Sequence, residues 1–186
     1  MKTGVIANLC RSNTVCSTLG NVVKRKIKNC FLITSWLLAL ALAAGAQQHA
    51  HQHDMDRRGE QGMGFSQEKT THHFLLRKDG GAIQVTARSA DDKASVEQIR
   101  QHLRHITHAF ESGDFNIPMF VHDQTPPGVP VMTRLKDQIS YKYEPVENGG
   151  RVVIKTGNAD ALAAVHEFLR FQIREHRTGD PLELKQ

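Results

Sequence analysis

The chain has 186 residues, with 24 Lys and Arg against 19 Asp and Glu and a pI near 9.3. Six of the basic residues and none of the acidic ones lie in the first 46 positions, so the rest carries 18 basic against 19 acidic residues. This balance excludes nucleic-acid binding through overall basicity. The three cysteines lie in the same 46 residues, so the remaining chain has no disulfide and no thiolate chemistry.

Residues 31–46 form an apolar run between a basic stretch and a polar segment, and the run ends in Ala-Gly-Ala. This order predicts a secretory signal peptide over residues 1–46, with cleavage after Ala46. The run is shorter than the roughly 20 apolar residues that a transmembrane helix needs. We therefore expect a periplasmic or secreted protein without stable membrane insertion after cleavage. An uncleaved N-terminal anchor is the alternative.

Residues 47–70 are polar and rich in Gln, His, Gly and Arg, with little periodicity, which predicts a flexible tail. The segment Gly62-Met63-Gly64-Phe65 is its predicted docking point. Residues 71–186 are long enough for one folded domain with its own core.

The first elements of this domain are a hairpin and a helix. Apolar and polar residues alternate on both sides of Asp79-Gly80-Gly81, and glycine accepts the positive φ of a tight turn. A helix follows, with Asp91 or Asp92 as its N-cap and Gly113 at its end. Its apolar stripe recurs at spacings of three and four: Val96, Ile99, Leu103, Ile106 and Phe110.

The same order then recurs, with a turn at Asn148-Gly149-Gly150 and a second helix that ends at Gly179. The two turns align at an offset of 69, and Leu103 aligns with Leu169 at an offset of 66. We predict an α+β fold in which two ββα units, residues 71–114 and 138–180, form a four-stranded antiparallel sheet with two helices on one face. The units would be an internal repeat related by a pseudo-twofold. Coincidence among common motifs is the alternative.

Strand alternation predicts a mostly polar second sheet face, which water can cover. A homodimer, a protein partner or the docked tail would cover its two aliphatic side chains. The predicted residues of this face are His73, Leu75, Arg77, Gln84, Thr86, Lys142, Glu144, Arg151, Val153 and Lys155.

All 11 histidines follow residue 46, and neutral imidazole is the commonest metal ligand in proteins. His49, His51 and His53 form a first group near the predicted mature N-terminus. With cleavage after Ala46, the new α-amine, two backbone amides and His49 would form the square-planar nitrogen set that Cu(II) or Ni(II) favours. A polar tail without a specific ligand is the alternative.

A second group, His102, His105 and His108, lies on the first predicted helix. A spacing of three brings neighbouring imidazoles within reach, but the three side chains fan out around the helix. A pair, His102 with His105 or His105 with His108, is therefore the expected metal-ligand unit. A solvated helix face is the alternative.

His72, His166 and His176 are interpreted as structural residues. His72 and His73 point to opposite sheet faces and cannot chelate together. His72 aligns with Tyr141 of the second unit, which indicates a half-buried role. His166 flanks the second helical stripe, and His176 occupies the position that Phe110 has in the first unit.

The connection over residues 115–137 is proline-rich and long for a small domain, so it is either functional or a structural belt. His122 together with Met119 and Met132 would suit Cu(I), because thioether sulfur is soft. Core packing is the alternative for both methionines.

Several stretches resemble a group of small exported bacterial proteins without an assigned activity. The resemblance covers roughly residues 60–183 and is carried by these stretches: Gly62-Met63-Gly64-Phe65, Thr70-Thr71-His72-His73-Phe74, Arg104-His105-Ile106, Pro126-Pro127-Gly128 and residues 165–176. Some members are labelled aspartate carbamoyltransferase. The chain lacks the Ser-x-Arg-Thr loop that holds carbamoyl phosphate in that enzyme, so the resemblance implies nothing about mechanism.

The familiar catalytic templates are missing from the sequence: it has no Gly-x-Ser-x-Gly, phosphate loop, His-Glu-x-x-His or dinucleotide fingerprint. The main hypothesis is an exported binding protein that takes a transition metal, copper above all, through its histidines. A metal-free periplasmic interaction module is the alternative, and a small enzyme of an unfamiliar kind is the third reading.

Overall fold

A computed structural model describes residues 52–184. The signal peptide predicted over residues 1–46 lies outside this range, as do His49 and His51. The described part begins with a helix over residues 52–63, here α1. The elements that follow are β1 (Thr70–Arg77), β2 (Gly80–Ala87), α2 (Lys93–Ser112), α3 (Asn116–His122), α4 (Val129–Arg134), β3 (Ile139–Val146), β4 (Gly149–Thr156) and α5 (Ala159–Glu175).

The four strands form one antiparallel sheet in the order β1-β2-β4-β3. Helices α2 and α5 pack on the same sheet face, because Leu103 of α2 lies over Gly150 and Leu169 of α5 lies over Gly81. Strand alternation puts both glycines on that inner face. The predicted α+β fold of two ββα units is confirmed.

The register of the central pair matches the offset between the two units. Ile83 of β2 pairs directly with Val152 of β4, and these residues are themselves equivalent at the offset of 69. An approximate twofold axis between them would therefore exchange the two hairpins. Whether the two units arose by duplication stays a prediction.

Both long helices begin and bury their apolar stripes for local reasons. Asp92 accepts a hydrogen bond from the Ser95 N–H at the start of α2, and Asn158 accepts one from Ala161 at the start of α5. The five predicted stripe residues of α2 are all buried. Helix α2 ends at Gly113 as predicted, whereas α5 ends at Glu175, before the predicted Gly179, because Arg177 turns into the left-handed region (φ 50°).

The predicted flexible tail differs from the structure over residues 52–69. Most of this stretch is helical, and Met55 and Phe65 are buried. The Arg58 side chain also donates from Nε to the Val121 carbonyl of α3 at 2.9 Å. Widely spaced apolar anchors leave little periodicity in the sequence, yet they are enough to dock the segment on the domain.

Helices α3 and α4 form a belt within the predicted connection. Gly128 has a positive φ of 85°, and a Cβ there would lie 2.1 Å from the Ala164 carbonyl oxygen of α5. Met132 is fully buried in the core and is not among the residues that line a cavity with His122. In the described part of the chain, no helix combines the length and the apolarity needed to cross a bilayer.

Candidate functional site

A cavity of about 70 Å³ lies between the inner sheet face and helices α2, α3 and α5. Most of its lining is apolar. Four histidines also line it, each from a different place in the fold: His72 from β1, His102 from α2, His122 from α3 and His176 directly after α5. The remaining heteroatoms of this histidine cavity come from Gln172 and from the thioether of Met63.

Neighbouring rings of the histidine cavity contact one another. His72 and His176 are stacked, with ring centroids 5.7 Å apart and planes within 10° of parallel. His122 meets His176 edge-on at 5.1 Å. Phe65, from the segment after α1, stacks on His72 and meets His102 edge-on at 5.5 Å. The four histidines, which are far apart in the sequence, therefore form one connected cluster of five rings together with Phe65.

Polar atoms in the cavity are only partly satisfied. His122 Nε2 donates to Gln172 Oε1 at 2.9 Å, which puts the proton of a neutral ring on Nε2. His72 Nε2 and Gln172 Nε2 are buried, and neither has a hydrogen-bond partner within residues 52–184. Each such buried polar atom costs about 1–3 kcal/mol. A ligand that binds these atoms would recover part of that cost.

Burial keeps three of the imidazoles neutral. It lowers the pKa of His72 to about 4, with smaller contributions from His73 and Arg88. Burial likewise lowers the pKa of His102 to about 4, and it holds the pKa of His176 well below the usual value. These rings therefore offer nitrogen lone pairs at neutral pH, which is the form that binds metal ions. No carboxylate lines the cavity.

The other predicted metal ligands within residues 52–184 do not meet. His53 is exposed on α1, and His105 and His108 are exposed on the outer side of α2. His108 Nδ1 lies 3.3 Å from Glu111 Oε2. Only His102 of the predicted helical trio faces the cavity. Within residues 52–184, no group of three or more His, Cys, Asp or Glu side chains is already arranged to hold a metal ion.

Two further histidines fasten elements together. His166 Nε2 lies 2.9 Å from the Arg77 carbonyl oxygen and 3.0 Å from that of Gly80, so the ring ties α5 to the β1–β2 turn. His73, on the outer sheet face, donates from Nδ1 to Asp180 Oδ1 at 2.9 Å. The other Asp180 oxygen accepts from the Phe74 N–H and the Thr178 hydroxyl. This Asp180 clasp holds the chain after α5 against β1.

The sequence patterns divided the four cavity histidines among separate groups and interpreted His72 and His176 as structural. The structure brings them together because β1 lies beside the C-terminal end of α5. One sequence signal points to this pair. Aligning the two units puts His72 opposite Tyr141 and His176 opposite Phe110, so imidazoles replace hydrophobic rings at two equivalent positions.

Comparisons with protein-family models, with curated proteins and with solved structures found no match for this chain.

Proposed function

We propose that the domain is a binding protein that holds one transition-metal ion in the histidine cavity. The observation that carries this proposal is the convergence of four imidazoles on one otherwise apolar cavity. Neutral imidazole suits Zn, Cu, Ni and Fe, and the Met63 thioether adds a soft donor that favours Cu(I). Copper remains the preferred ion, with the cavity rather than the tail as its site.

The ring spacing fits shared coordination. Zinc–imidazole bonds are about 2.0–2.1 Å long, so two imidazoles on one tetrahedral ion have centroids about 5 Å apart. The observed separations are 5.1 Å for His122 with His176 and 5.7 Å for His72 with His176. The parallel stack of the second pair keeps its lone pairs from converging. We infer that metal binding requires rotation about the side-chain torsion next to each ring, which has a broad energy minimum.

Cavity size favours an ion over an organic molecule. An engineered apolar cavity of about 150 Å³ binds benzene or xenon. The histidine cavity has about half that volume, so only a very small uncharged molecule is the second candidate.

The metal-free interaction module has less support. Val153 on the outer sheet face is buried by its neighbours, Leu75 is half-buried, and the exposed large hydrophobic side chains of residues 52–184 are Phe120 and Leu182. Export also remains a prediction.

Metal titration tests the proposal. Cu(II), Cu(I) under reducing conditions, Ni(II) and Zn(II) are added separately to the purified protein, and binding is followed by calorimetry and absorption. We expect one ion per chain and a higher melting temperature in the metal-bound protein, because ligands of the native state stabilise it. His72→Phe and His176→Phe should each weaken binding at least 100-fold.

Matched controls separate the cavity from the other histidines. His105→Gln and His108→Gln change exposed residues of α2 and should bind like the wild type. A His49→Gln/His51→Gln/His53→Gln variant removes the predicted tail ligands and should keep the cavity ion. If His72→Phe/His176→Phe binds metal as tightly as the wild type while the tail variant does not, the cavity is not the metal site.

A further inference from the structure

The stacked pair His72 and His176 lines a second space besides the histidine cavity. This space is a surface depression of about 210 Å³, and both rings form part of its lining. The rest of its lining is polar: Gln67, Thr70, Thr71, Arg88, Arg177 and Thr178. The two rings are therefore a wall shared by an apolar cavity and a polar depression, which we call the arginine depression.

The charge of the arginine depression is positive and uncompensated. Arg88 and Arg177 line it, and none of its lining residues is acidic. Neither guanidinium makes an ion pair with any residue of the described range. The neighbouring Asp180 carboxylate is already occupied by His73, Thr178 and the Phe74 N–H.

The Arg88 side chain and the Arg177 backbone are held in place from outside the depression. Arg88 donates from Nε to the Glu68 carbonyl oxygen at 2.9 Å, which anchors the base of its guanidinium and leaves the terminal nitrogens available. Arg177 lies in the left-handed turn after α5, where the Thr178 N–H bonds back to the Ile173 carbonyl. A guanidinium offers several N–H donors in a planar fork, which matches the oxygens of carboxylates and phosphates.

We propose that the arginine depression binds a small oxyanion or carboxylate beside the His72–His176 pair. An anion there would meet two guanidinium groups and the edge of the ring wall. The histidine cavity itself offers only neutral groups, and a buried cation without an opposite charge is costly. The anion would supply that charge, a coupling that rests on the proposed metal function. Anion binding itself does not depend on it.

Thermal melting of the metal-free protein tests the anion site. Sodium phosphate, sodium acetate and sodium chloride are compared at constant ionic strength and pH 7.5. We expect phosphate or acetate to raise the melting temperature of the wild type above its value in chloride. A response to phosphate alone identifies an oxyanion site, and a response to acetate alone identifies a carboxylate site.

The variants Arg88→Gln and Arg177→Gln should lose this anion-dependent rise. Arg134→Gln, at an exposed arginine of α4, is the matched charge control and should keep it. An equal rise in all four proteins would overturn the proposal, as would the absence of any rise in the wild type. Since each variant is compared with itself in chloride, a change in its basal stability does not affect the result.

Repeating the anion titration with metal bound separates the two proposals. Reciprocal coupling predicts that metal raises anion affinity about 5-fold or more, and that anion raises metal affinity by the same factor. Anion binding that metal does not alter would overturn the coupling and leave the anion site in place. Anion binding retained in a protein that takes up no metal would count against the metal site alone. A wild type that binds metal but whose melting temperature does not respond to phosphate or acetate would overturn the anion site alone.

Discussion

The two ends of the domain place rings at equivalent positions but use different chemistry. At the carbon-ring end, Phe110 contacts Tyr141 at 5.7 Å and stacks on Phe115 at 4.4 Å. At the imidazole end, His176 occupies the place of Phe110 and His72 that of Tyr141, again 5.7 Å apart. His122 completes the imidazole end at 5.1 Å from His176. One backbone arrangement therefore supports both a hydrophobic cluster and a histidine cluster.

The comparison shows that this backbone arrangement accommodates hydrophobic rings as well as imidazoles at the two positions. Hydrophobic rings fill the equivalent positions, whereas each buried imidazole gives up solvation that it recovers only with a hydrogen bond or a ligand. The carbon-ring end has a smaller defect of the same kind. The Tyr141 hydroxyl is buried without a hydrogen-bond partner in the described part, and burial raises the pKa of that group. Burial lowers the pKa of three histidines at one end, which supports the ligand site proposed there.

Truncating one ring at each end should give the largest difference in stability between the two ends. Phe110 is 2% exposed in the core, so Phe110→Ala should lower the free energy of unfolding by about 3–5 kcal/mol. His176→Ala should cost less than half as much, since it also removes a buried imidazole from a site that already contains a cavity. Urea unfolding at pH 7.5 measures both. Equal losses would show that the two ends stabilise the fold alike.

Acid should destabilise the imidazole end. The pKa of His72 is about 4 in the folded protein against 6.5 as its ordinary value, so between these values the unfolded chain binds more protons. The free energy of unfolding therefore falls as pH falls from 6.5 towards 4, by an amount on the order of 3 kcal/mol for His72. Above pH 6.5 this contribution no longer changes.

Urea unfolding at several pH values between 8 and 4 checks this dependence. His72→Phe should show a shallower loss than the wild type, and the exposed His105→Gln should follow the wild type. A His72→Phe curve parallel to that of the wild type would mean that His72 is readily protonated in the folded protein.

Replacing the imidazoles by hydrophobic rings should remove the free-energy cost of burying them. At pH 6 the free energy of unfolding of His72→Phe/His176→Phe should be about 1–3 kcal/mol higher than that of the metal-free wild type, because two imidazoles are replaced by rings that need no hydrogen bonds. The 70 Å³ cavity gives the larger rings room. The same variant should no longer be stabilised by metal. Lower stability combined with intact metal binding would contradict both expectations.

The smallest expected loss of stability comes from substituting Asp180 or Asp114, its equivalent in the other unit. Asp180 bonds across to β1, whereas Asp114 at the carbon-ring end accepts, among the described residues, only the local Asn116 N–H. Asp180→Asn should cost about 1–2 kcal/mol, since it weakens charge-assisted hydrogen bonds. Asp114→Asn should cost about 0.5 kcal/mol or less. Chemical denaturation distinguishes these values, and an equal effect would mean that the clasp does not stabilise the imidazole end.

Local chemistry made several elements predictable. The stripe from Val96 to Phe110, the Asp92 cap and the two glycine turns depend on neighbours within a few residues, so the sequence pattern contains them. The segment of residues 52–63 was not predictable in this way. Its order depends on contacts such as that of Arg58 with Val121, which lies far along the chain.

The sequence by itself determined the two ββα units and the polar outer face of the sheet, because helical and strand periodicities are written in adjacent residues. Aligning the two units in the sequence also shows that His176 stands where the other unit has Phe110, and that His72 stands where the other unit has Tyr141. Only the tertiary structure decided that His102 and His122 join this pair and that His53, His105 and His108 do not. The reason is that a cavity depends on strand order and on helices packing over one sheet face, which no local pattern specifies.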